Sequence, residues 1–141
     1  MSFLLDTNVL SELRKPDADR RVVAWVDSRP SAELYVSAMT LYEIELGILA
    51  RERRDPTQGA PLRAWFIGKV LPQFAERTLP VDGAVAVRAA GLSDPDRRPH
   101  TDGLIAATAL VHSMAIVTRN VRDFAGIPGL AVANPWQQAP R

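Results

Sequence analysis

Four carboxylates in this chain sit where they could meet: Asp6 in "LLDTNVLSEL", Glu43 in "TLYEIELGI", Asp102 in "HTDGLIAATALV" and Asp123 in "TRNVRDF". Asp6 is the hardest to explain by packing, because it ends an apolar run, where a carboxylate is seldom placed without a partner. Thr7 and Asn8 follow it, and both suit hydrogen bonding around a carboxylate. Crowded carboxylates raise one another's pKa and resist ionising, so a cluster of them is costly without a cation. An all-oxygen donor set in a chain without cysteine points to a hard ion, Mg²⁺ or Mn²⁺. Such an ion binds through few carboxylates plus water and substrate phosphate, which describes a phosphodiesterase site.

Each acid also has an ordinary structural reading. Thr40 and Glu43 have capping-box spacing, Asp102 suits a helix N-terminus, and Asp123 suits an exposed turn. Their joint placement decides the matter, and that depends on the elements that carry them.

Apolar periodicity predicts strands at 2–5, 34–37, 78–81, 115–118 and 130–133. It predicts helices at 7–15, 19–29, 40–53, 62–76, 82–92 and 102–113. Residues 51–61, "RERRDPTQGAP", and 93–101, "SDPDRRPHT", read as polar loops. Alternating strands and helices imply an α/β fold, a three-layer α/β/α sandwich around a mainly parallel sheet. In such sheets the active crevice lies beyond the carboxyl ends of the strands, and all four acids fall near that edge.

At 141 residues, with 47% hydrophobic and 23% charged residues, the chain is expected to form one domain spanning 1–141. It has neither an apolar stretch long enough to span a bilayer nor the basic and apolar regions of a leader, so a cytoplasmic, membrane-free protein is expected. The absence of cysteine fits a reducing compartment. A formal charge of +1 leaves the outer surface clearly basic if several acids are gathered in one pocket. All the cations but Lys15 and Lys69 are Arg, which forks onto phosphate. Arg51, Arg53 and Arg54, Arg97 and Arg98, and Arg119 and Arg122 flank the acidic motifs and are the candidates to hold a polyanion. His100 and His112 are read as a solvated loop residue and a packed or boundary helix residue.

The segments "LLDTNVLSELRKP", "VSAMTLYEIELGI" and "HTDGLIAATALVHSMAIVTRNVRDF", in this order, closely resemble the PIN-domain ribonucleases, and among them the VapC toxins of the FitB-like branch. The resemblance runs nearly end to end. It implies an α/β/α sandwich, a Mg²⁺ or Mn²⁺ cofactor, and hydrolysis of RNA by metal-activated water. It further implies a cognate antitoxin partner, homodimers, and a larger toxin-antitoxin assembly on operator DNA through the antitoxin. By position, Asp6, Glu43 and Asp102 form the acidic set, with Asp6 and Asp102 holding the metal and Glu43 binding it or orienting the attacking water. The family's last acid falls either where Asn120 stands or at Asp123; the carboxylate at 123 is taken, acting directly or through water. Thr7, Asn8, Thr118 and Asn120 are expected to orient these carboxylates. An antitoxin groove would draw on Tyr42, Ile48, Trp65 and Phe66, whose helical spacing equally suits a core.

Two rivals come from other chemistry. An aspartyl-phosphate phosphatase wants a second acid at position 8, which is Asn, and a lysine at a strand end, where neither Lys15 nor Lys69 falls. A catalytically silent PIN-like module would bind only partners in an antitoxin and DNA complex.

Overall fold

The computed structural model describes residues 1–137, built around five parallel strands in the order β3-β2-β1-β4-β5. They are β1 (Phe3–Leu5), β2 (Leu34–Ser37), β3 (Thr78–Leu79), β4 (Ala115–Val117) and β5 (Val132–Ala133). Six helices connect and cover them: α1 (Thr7–Arg14), α2 (Arg20–Asp27), α3 (Ala38–Arg54), α4 (Pro56–Trp65), α5 (Gly83–Leu92) and α6 (His100–Val111). This is the expected α/β/α sandwich.

Strand alternation assigns each side chain to a layer. Phe3, Leu5, Leu34, Val36, Ala115 and Val117 face one core under α1, α3 and α4, while Leu4 and Ile116 face α6 with Ile105, Ala106 and Ala109. The register pairs Leu4 with Tyr35 and Ile116, and Leu5 with Val117. The strand order reverses direction on either side of β1, so the open crevice lies between the ends of β1 and β4.

Residues 51–61 are not a loop. α3 runs to Arg54, the chain turns at Asp55, and α4 begins at once. Asp55 Oδ1 accepts the Gln58 N–H at 3.2 Å and Pro56 occupies the first turn, so a helix-start signal lay inside a stretch that its polarity disguised. α4 continues through a π-helical turn, Phe66–Val70, and ends in Leu71–Gln73. Pro72 has no N–H and its ring crowds the carbonyl four residues back; widening the preceding turn relieves both.

Candidate active site

Asp6 stands where β1 ends. Its N–H continues the sheet by donating to the Val117 carbonyl at 2.9 Å, and its carboxylate then caps α1, Oδ1 accepting the Thr7 N–H at 2.9 Å. The other oxygen, Oδ2, accepts from Thr118 Oγ1 at 2.8 Å and from Asn8 Nδ2 at 3.3 Å. Asn8 also donates to Thr118 Oγ1 at 3.1 Å and accepts the Arg119 N–H at 3.1 Å. The start of α1 and the segment after β4, more than a hundred residues apart, are thus stitched together by one amide.

Glu43 does not complete a capping box. Ser37 caps α3 instead, its Oγ accepting the Met39 N–H at 3.0 Å, and Thr40 is buried one turn further in. Glu43 lies in the second turn rather than the first, and its Oε1 accepts from Thr7 Oγ1 at 2.8 Å. Thr7 therefore links α1 to α3, aligning a second carboxylate with the first.

Asp102 lies in the first turn of α6, two residues inside the helix rather than opening it, because the helix starts at His100. Asp123 closes a short 3₁₀ turn, Val121–Asp123, and is exposed. Asp6, Glu43, Asp102 and Asp123 line one polar cavity of about 410 Å³, together with Thr7, Asn8 and Asn120. Asn120 and Asp123 both reach it, so both candidates for the fourth place are present.

The electrostatics reflect that convergence. Burial pushes the Asp6 carboxyl up, and the Asp123 charge adds to it against the hydrogen bonds from Thr118, Thr7 and Asn8. Glu43 is pushed up by burial and further by the Asp6 charge. Asp102 rises to about 6, chiefly through burial and then through the charges of Asp123, Asp6 and Glu43, with Arg98 opposing. These anions destabilise one another, and the Arg98 charge only partly offsets this at Asp102. Among the described residues no three His, Cys, Asp or Glu side chains are drawn into a ready-made metal cage. The donor set, carboxylates spread around an open polar cavity, nonetheless suits Mg²⁺ or Mn²⁺, which bind through one or two carboxylates and fill the other positions with water and phosphate.

The cations are distributed unevenly. Arg119 lines the acidic cavity. Arg98 is half-buried, with Nε donating to the Leu92 carbonyl at 2.9 Å, and its charge is felt at Asp102. Arg97, Arg98 and His100 line a separate opening beside α5, and Arg122 an adjacent one past β4. Arg51, Arg53 and Arg54 occupy the last turn of α3, about 12–16 Å along its axis from Glu43.

His112 is exposed just beyond the end of α6 rather than packed. Ile48 and Phe66 are core and Trp65 packs against it, while Tyr42 is exposed. The sequence reading missed Ser11, Glu12, Lys15 and Trp136, which line the acidic cavity, and Thr101, whose side chain opposes the upward shift of Glu43. Lys15 next to Pro16 carried a signal, since a proline stops α1 there and leaves the preceding side chain at the crevice mouth.

The family model described as "PIN domain" matches residues 3–130. A VapC ribonuclease, Y4jK, of Sinorhizobium fredii is 38% identical over 145 aligned residues, which cover 97% of this chain and 99% of the relative. The toxin FitB of Neisseria gonorrhoeae is 38% identical over 141, covering 95% and 98%. Among solved structures, FitAB bound to an IR36 DNA fragment matches with a TM-score of 0.85 at 37% identity, over 98% of each chain.

Proposed function

Because this chain belongs to the PIN-domain family, in the branch of the VapC and FitB toxins, we propose that it is a metal-dependent endoribonuclease acting as the toxin of a toxin-antitoxin pair. The observation that carries this reading is the meeting of Asp6, Glu43, Asp102 and Asp123 on one cavity at the switch point of a parallel sheet. A cavity walled by mutually repelling carboxylates has little use for a phosphodiester unless a cation joins it.

Asp6 and Asp102 would hold the ion, with Glu43 joining them. A bound Mg²⁺ or Mn²⁺ supplies polarisation of the phosphoryl oxygen, acidification of water and neutralisation of charge on the leaving oxygen. The chain's part is orientation. Thr118, Thr7 and Asn8 fix both oxygens of Asp6 in one rotamer, and Thr7 fixes Glu43 relative to it. Asp123, exposed at the rim, accepts a proton or orders a water beside the attacked phosphorus. Cations at the rim hold the strand against the field of the acids.

A cognate antitoxin partner fits the same reading, since relatives are named toxins and one is solved as FitAB on a DNA fragment. The antitoxin would cover the cavity and carry the complex to operator DNA, with the toxin present as a homodimer.

The test is cleavage of total cellular RNA by purified, antitoxin-free protein in Mg²⁺, Mn²⁺ or EDTA, beside Asp6→Asn. Discrete fragments that need metal and vanish in the variant are expected. Equal cleavage by Asp6→Asn sinks the assignment of the site, and no cleavage by folded protein under either metal moves the reading to a silent partner-binding module.

A further inference from the structure

The acidic cavity has a second wall, on which Lys15 has been given no task and Arg119 only a general one. Lys15, immediately after α1, and Arg119, two residues after β4, are the cations among its lining residues. Each is positioned by a neighbour. The nearly buried Glu12 accepts from Lys15 Nζ at 3.3 Å through Oε1 and from the Asp19 N–H at 2.9 Å through Oε2, tying the 15–19 loop back onto α1. Arg119 is anchored through its own N–H on Asn8, and its guanidinium lies 5.5 Å from the centre of the buried Trp136 ring. Lys15 follows α1 and Arg119 follows β4, so the two cations reach this one cavity from separate segments.

The Lys15 side chain is 48% exposed while its Glu12 partner is 10% exposed. The carboxylate is sunk, where it also accepts the Asp19 N–H, and the ammonium is left at the cavity. The ammonium carries three donors and Glu12 takes one. Arg119 adds a planar fork suited to phosphate oxygens.

We propose that Lys15 and Arg119 form a phosphate-holding subsite that grips the RNA phosphodiester next to the one cut, with Glu12 as the positioning residue for Lys15. The proposal rests on the nuclease reading and adds to it where the strand is pinned. The acids take the scissile phosphate through their cation, and the two basic side chains take its neighbour. The strand is thereby fixed at two points, which sets the register of cleavage.

The experiment uses a short single-stranded RNA containing one mapped cleavage position, with a neutral methylphosphonate placed at each linkage in turn. Binding is read by fluorescence anisotropy at low salt in EDTA, where the strand is not consumed, and cleavage is read in Mg²⁺. On the unmodified strand Lys15→Gln is expected to bind about tenfold more weakly, with kcat little changed, an unaltered melting curve, and a salt slope smaller by about 0.7. A methylphosphonate at one linkage beside the cut should weaken wild-type binding by at least a similar factor and Lys15→Gln by clearly less, only the Arg119 contact being left to lose there. Lys15→Arg should restore most of the affinity. Losses that add at every linkage, or a Lys15→Gln protein indistinguishable from wild type, overturn the subsite while leaving the nuclease standing. A folded protein that neither binds nor cleaves RNA overturns both.

Discussion

Thr118 Oγ1, just past the carboxyl end of the neighbouring strand β4, donates to Asp6 Oδ2 at 2.8 Å, and the same oxygen accepts from Asn8 Nδ2 at 3.1 Å and from the Asn120 N–H at 3.0 Å. One donor and two acceptor positions are all that a hydroxyl has. Thr118 is fully buried and fully used.

Thr118→Val keeps the shape and removes all three bonds. The expected cost is about 1–3 kcal/mol of stability, read from chemical denaturation. Cleavage should fall by about 10–100-fold because Asp6 loses its orientation. Thr118→Ser should recover most of both. Wild-type activity in Thr118→Val would mean that Asp6 is held well enough by Thr7 and Asn8.

Metal-free stability should fall as pH rises from about 4 to above 6. Asp102 is raised from its ordinary 3.8 to about 6, so across that window the folded chain binds more protons than the unfolded one, and stability is lost with rising pH. Asp6 and Glu43, also raised, act with the same sign. Asp19, held at about 2 chiefly by Arg21, and the lowered Glu12 and Glu52 act with the opposite sign as their unfolded forms finish titrating at the acid end of the window, so the decline is clearest above about pH 5. Thermal melting in EDTA checks this. Asp102→Asn should flatten the decline and melt higher than wild type near neutral pH while losing cleavage, and Mg²⁺ should raise the wild-type melting temperature by binding the folded state.

Gly59→Ala is expected to destabilise the protein although alanine favours helix by up to about 1 kcal/mol. A Cβ on Gly59 would come within 2.7 Å of Glu52 Cγ and 3.0 Å of Glu52 Cα, where α4 crosses α3. Nearby, Arg63 bonds both Glu45 and Glu52, with Nη1 to Glu45 at 2.5 Å and Nη2 to Glu52 at 3.0 Å, which locks the two helices at that separation. The expected loss is about 1–3 kcal/mol by denaturant titration. Cleavage at a permissive temperature should be unchanged, since the crossing lies at the other end of α3 from Glu43.

Replacing Arg51, Arg53 and Arg54 together by Gln should leave cleavage of a short oligonucleotide within about twofold. Their distance along α3 from Glu43, about 12–16 Å, exceeds the screening length of about 8 Å at physiological salt. Long, structured RNA that extends over α3 should bind more weakly. KM measured for both substrates separates the cases: an equal loss on the short strand would put those arginines at the cut.

The sheet, the helices and all four acids were legible because each rests on local signals: period-two and period-3.6 apolar spacing, and a carboxylate at the end of an apolar run. Position along a helix was less legible. Thr40 and Glu43 fit a capping box, yet Ser37 was an equally good cap three residues earlier, and nothing local distinguishes them. The start of α4 was hidden because Gly59 and Pro61 imitate a loop, whereas Gly59 is there to let α3 approach. Of the cation wall, Arg119 was legible as a candidate to hold a polyanion and Lys15 was not. Lys15 and Arg119 meet only because β1 and β4 are neighbours, a fact of topology.

That neighbourhood also sets when the molecule can become dangerous. The earliest-made strand, β1, lies at the centre of the sheet and is completed on one side only by β4, near the other end of the chain. Asp6 lacks the Val117 and Thr118 contacts, and the cavity lacks Arg119, Asp123 and Trp136, until those residues have been synthesised. Helices α1 to α5 can gather early, but a growing chain has no assembled acidic cavity while it is still being translated through its first hundred residues. On the nuclease reading proposed above, a chain wired this way has no activity in its unfinished state, and a product truncated before β4 carries an incomplete acidic cavity.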